Sequence, residues 1–143
     1  MSRIPRVLET LKNGFTAEAA SAARYRAFAG RAERDGLVNL ARHWRELAEA
    51  KDALAVRQLE AAGQVRGERL DLAAALAEEQ YENDVLYPKL IAASALDPEA
   101  ASILKAVLEA QRQHAERLEA LREALTATSG DVPASLPAAA VKV

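Results

Sequence analysis

The chain has 143 residues, no cysteine and a net charge of −2. That is enough for one domain with a core, and it excludes disulfides, iron–sulfur clusters, thiol catalysis and cysteine zinc sites. Acidic and basic residues are interspersed, which leaves no electrostatic footprint for nucleic acid. No apolar run approaches the roughly 18 residues of a membrane span and no signal peptide opens the chain, so a cytoplasmic protein is expected. Half the residues are hydrophobic but only 4% aromatic, and alanine, leucine, glutamate and arginine dominate, the composition of a helical bundle.

The first predicted helix covers about Ile4 to Arg34, with a seam of Leu8, Leu11, Phe15, Glu18, Ala22, Tyr25, Ala29 and Ala32 at alternating steps of three and four. Asp35-Gly36 ends it, and the second helix runs from about Leu37 to Ala62 with seam Leu37, Leu40, Trp44, Leu47, Lys51 and Leu54, stopped by Gly63. Residues 63–69 form a short polar linker. The third helix covers about Leu70 to Ala95, with seam Leu72, Leu76, Glu79, Asn83, Leu86 and Leu90. A kink is expected at Pro88, whose ring and missing N–H disturb a helix interior. Asp97-Pro98-Glu99 supplies an N-cap, a first-turn proline and an acid near the dipole, opening a fourth helix with seam Leu104, Val107, Gln111, His114, Leu118, Leu121 and Leu125. The expected domain is 1–126, and the Ser/Thr/Pro/Ala-rich residues 127–143 read as a disordered tail.

Every seam carries polar interruptions: Glu18, Lys51, Glu79, and the pair Gln111 and His114. Polar groups facing a helical core are costly unless they satisfy one another or hold a metal. Each has a bland reading too. Glu18 fits a misjudged face, Glu79 with Glu82 a solvated acidic turn, Lys51 a snorkelling side chain, His114 a satisfied core histidine, and Gln111 an amide that fixes register. Their agreement in level favours a shared site. Glu18 and Lys51 lie about equally far from the first turn, and Glu79 and the Gln111/His114 pair flank the second likewise. A weak repeat between Glu49–Arg57 and Glu109–Arg117 suggests two related helical hairpins. Tyr25, Tyr81 and Tyr87 are expected near the layer, and His43 on the surface.

Glu18-Ala-Ala-Ser-Ala-Ala-Arg24-Tyr25, Glu79-Gln80-Tyr81-Glu82 followed by Leu86-Tyr87-Pro88, and His114-Ala115-Glu116-Arg117 occur in the order and spacing of a known family. The chain resembles the rubrerythrin branch of the ferritin-like superfamily over nearly its whole length before the tail. The resemblance implies an all-α, ferritin-like four-helix bundle built from two helical hairpins. It implies metal ligands at Glu18, Glu79, Glu82 and His114. Three ligand positions of the family's di-iron site are altered: Lys51 stands for a glutamate, Leu54 for a histidine and Gln111 for a glutamate. The two lost glutamates are those that would bridge the irons, and no cysteine exists for a rubredoxin domain.

With one bridge neutral and the other an ammonium, a degenerate centre is expected rather than two irons. Glu18, Glu79 and Glu82 against Lys51 sum to −2 with His114 neutral, which one Fe, Mn or Zn ion would balance. The alternative is a metal-free structural or regulatory protein in which Lys51 neutralises the carboxylates. A third reading, Lys51 as a desolvated base in a cofactor-free enzyme, names no substrate. A linker of about seven residues reaches at most roughly 25 Å, short of the crossover that a ferritin-like bundle requires. The expectation is therefore a homodimer with swapped hairpins, the other option being an up-down-up-down monomer. Neither nucleic acid nor membrane is expected as a partner.

Overall fold

The computed structural model describes residues 3–136 of the chain. Its elements are all helical: α1 (Pro5–Arg34), α2 (Val38–Ala61), α3 (Glu68–Tyr81), a π-helical segment (Glu82–Leu86), α4 (Tyr87–Ala93) and α5 (Pro98–Thr126). The chain divides into two compact units, residues 1–65 and 66–143. The first is the α1–α2 hairpin. In the second, α3, the π-helical segment and α4 all pack along α5.

The helix ends follow from local chemistry. After α1, Gly36 takes φ 78°; its N–H donates to Glu33 O at 3.0 Å, and that of Leu37 to Ala32 O at 2.8 Å. Two orphan carbonyls are thereby satisfied at a turn that a Cβ would strain. Gly63, at φ 70°, repeats the arrangement after α2, its N–H donating to Glu60 O and that of Gln64 to Leu59 O. Asp97 caps α5, its Oδ1 accepting from Ala100 N at 3.1 Å, with Pro98 in the first turn.

The expected single third helix is corrected to two α-helical stretches around a π-helical one. Tyr87 N–H donates to Glu82 O, five residues back. Pro88 has no N–H and would press its ring on the carbonyl of Asp84 in a regular helix; the wider turn just before it relieves that conflict.

The contact face of α2 is also corrected. In α1 the seam and the buried face coincide at Ala22, Ala29 and Ala32. In α2 the buried line runs one residue later than the leucines, through Ala41, Ala48 and Ala55, with Ala62 just past the helix end. Their seven-residue spacing returns them to one side of the helix. Leu40, Leu47 and Leu54 are about half exposed, at 46%, 51% and 47%. Trp44 packs on the Ala29, Ala32 and Ala41 cluster, and ion pairs Arg26–Asp52 and Arg45–Glu33 join the two helices at their flanks.

Among the described residues of the second unit the buried side chains are Leu76, Leu108 and one polar residue, Asn83. Residues 127–136 contain no helix or strand, and residues 137–143 of the expected tail lie outside the described residues. Among the described residues no helix is long and apolar enough to cross a membrane.

Candidate functional site

In the first unit the alanine stripe brings α1 and α2 together, and Glu18 faces Lys51 across it. Lys51 Nζ lies 2.8 Å from Glu18 Oε2, with the two side chains only 30% and 24% exposed. Glu18 Oε2 is shut off from solvent, and the Lys51 ammonium stands against it at hydrogen-bonding distance. This approach of the Glu18 carboxylate keeps Lys51 protonated above the ordinary lysine value. Burial works against it, Tyr25 assists and Arg24 opposes.

Two turns along both helices stand Tyr25 and Trp44, their ring centroids 5.1 Å apart. Phe28 meets Trp44 at the same 5.1 Å, edge-on at 64°. An aromatic layer therefore borders the ion pair on one side, as expected of Tyr25. Leu54, at the position where the resemblance would want a histidine, is half exposed and carries no metal-binding atom.

In the second unit Glu79, Glu82 and Gln111 are partly buried, while His114 is exposed. Tyr81, expected against the layer, is 58% exposed. Among the described residues no three His, Cys, Asp or Glu side chains gather closely enough to hold a metal ion. Glu79, Glu82 and His114 therefore do not form a ready three-ligand group.

What the second unit does contain is a set of bare oxygens. Glu79 Oε2, Asn83 Oδ1 and Gln111 Oε1 are each shut off from solvent, and none accepts a hydrogen bond. A buried acceptor without a donor costs about 1–3 kcal/mol, and the amides of Asn83 and Gln111 carry donors of their own. Asn83 sits on the predicted seam, but periodicity assigned it no role. The signal in the sequence was its break in an otherwise apolar row.

The donor set decides what the site can hold. A dinuclear centre requires carboxylates bridging two cations. Lys51, already engaged with Glu18, and the neutral amide Gln111 stand where the resemblance places the two bridging carboxylates. These residues do not fit two metal ions.

The all-helical elements, arranged in two helical units, make this an all-α protein of the ferritin-like, four-helix class. The family model described as Rubrerythrin matches residues 9–122. The chain belongs to the rubrerythrin family, a branch of the ferritin-like superfamily whose members are metalloproteins at family level. No curated protein matches it.

Proposed function

We propose that this is a rubrerythrin-family protein with an altered centre, in which the Lys51 ammonium takes the place of one metal cation and at most one metal ion remains. The carrying observation is the 2.8 Å approach of Lys51 Nζ to Glu18 Oε2. Glu18 is thereby the counter-ion of Lys51. The remaining metal, Fe, Mn or Zn, belongs with Glu79, and with Glu82 and His114 once side chains adjust on binding. When bound, such an ion supplies Lewis-acid or one-electron chemistry toward metal or reactive-oxygen species. Glu79 would carry the neutralising charge, and Gln111 would orient as a neutral acceptor where a bridging carboxylate would sit.

Elemental mass spectrometry of untagged protein tests this. About one metal per chain, lost in an E79A/E82A/H114A variant, is the expected result. Two per chain would overturn the reading. None, even after anaerobic iron or manganese loading, would favour the second reading, a metal-free structural or regulatory protein. That reading draws on the same ion pair and on the lack of a ready three-ligand group among the described residues.

The working form we propose is a cytoplasmic homodimer with exchanged hairpins. Between Ala61 and Glu68 lie six residues, which span at most about 20 Å. A crossover along the 24 residues of α2 would need about 36 Å. Half-exposed Leu40, Leu47 and Leu54 supply the apolar surface for such an exchange. Light scattering that returned a monomer mass would exclude it.

A further inference from the structure

We infer that the open apolar face of the α1–α2 hairpin is a docking surface for the acidic α3–α5 hairpin of a second copy, and that segregated charge selects this pairing of unlike hairpins. The inference rests on the exchanged-hairpin reading above and supplies what directs it.

The small net charge of the chain conceals a division. Residues 1–65 carry 11 Lys and Arg against 8 Asp and Glu, a net +3, and residues 66–143 carry 8 against 13, a net −5. In the first unit the surplus borders the apolar face. Arg24 stands four residues before half-exposed Phe28, and Arg57 three residues after half-exposed Leu54, so each neighbours that face on its own helix. Arg6 lies eighteen residues before Arg24, a whole number of turns, and so continues the same line. All three are exposed, and among the described residues none makes an ion pair. The acids that pair between α1 and α2 lie elsewhere: Asp52 and Glu33 meet Arg26 and Arg45, and Glu18 meets Lys51.

In the second unit acids take the corresponding place. Glu78 and Glu82, four residues apart, run beside the seam of Leu72 and Glu79, and Glu99 stands four residues before exposed Ile103 on α5. Arg117 alone opposes them on that flank of α5. Two basic rims repel and two acidic rims repel, whereas a basic rim set against an acidic one adds charge attraction to apolar burial. A second copy supplies the complement, and in a two-fold dimer it does so twice.

Sedimentation velocity of full chains in EDTA tests the inference. R6E/R24E/R57E, three reversals of two charges each, takes the first unit from +3 to −3 and leaves both units acidic; E78K/E82K/E99K takes the second from −5 to +1 and leaves both basic. The expected result is a wild-type dimer that either variant alone weakens by roughly tenfold or more. An equimolar mixture of the two variants should restore the dimer, because each basic hairpin then meets an acidic one from the other chain. Dimerisation of either variant alone within twofold of wild type would overturn the charge selection while leaving the exchange standing. A mixture that stays monomeric would overturn the pairing of unlike hairpins between chains. A monomeric wild type would overturn both readings. Should a variant lose its helix content by circular dichroism, salt decides on the wild type. Its dimer should weaken about tenfold between about 0.05 M and about 1 M NaCl, where screening cuts the reach of charge to about 3 Å, and an unchanged affinity refutes the inference.

Discussion

Ala48→Leu tests what sets the distance at which Glu18 faces Lys51. Ala48 is 1% exposed, midway along the buried line of Ala41, Ala48 and Ala55, and stands three residues before Lys51. Leucine there adds three carbons to a contact with no spare volume. Alanine contacts belong at the near end of the roughly 8–10 Å range of helix separations and leucine contacts at the far end, so the hairpin must open by about 1–2 Å. Overpacking of this kind costs about 1–3 kcal/mol, which lowers the melting midpoint of a chain of this size by about 2–12 °C. Differential scanning calorimetry of A48L beside A50L is the assay, since Ala50 is exposed on the same helix and its substitution should stay within about 0.5 kcal/mol. Equal midpoints for the two variants would refute the alanine contact and, with it, the account of why the ion pair is so close.

The Lys51 ion pair carries its own pH signature. Because its contact with Glu18 raises Lys51 above its ordinary value of 10.5, its stabilising contribution is fully present below that value and is lost as pH rises through the raised one. The midpoint difference between wild type and K51M should therefore hold steady from pH 7 to about 10 and shrink above it. A difference that fades between pH 7 and 9 would contradict the pairing. K51E sets a second carboxylate against Glu18; its melting midpoint should fall in EDTA and recover with added divalent metal, and indifference to metal would count against a cation position there. Asp97→Ala removes the acceptor for Ala100 N at 3.1 Å and should cost about 0.5–2 kcal/mol in urea denaturation. No loss would show that the α5 cap contributes nothing.

Much of this protein was legible in the sequence because the signals are local. Glycines 36 and 63 and Asp97-Pro98 mark helix ends through backbone geometry that depends only on neighbours. Glu18 and Lys51 could be paired in advance because helices of fixed rise leave one turn together, and the structure brings them to 2.8 Å. The family followed from the spacing of Glu79, Glu82, Tyr87 and His114, and the match over residues 9–122 bears it out. Tertiary structure decided which face does what. Alanine is so frequent here that its seven-residue period in α2 carries no contrast. Leucines draw the eye to the wrong line, and only the close approach of two backbones singles out Ala41, Ala48 and Ala55. The same holds for Asn83 and for the exposed His114. Sequence places each on the apolar seam of its own helix, but burial is a property of what packs against a residue. The π-helical turn ahead of Pro88 carries Asn83, whose Oδ1 is shut away from water.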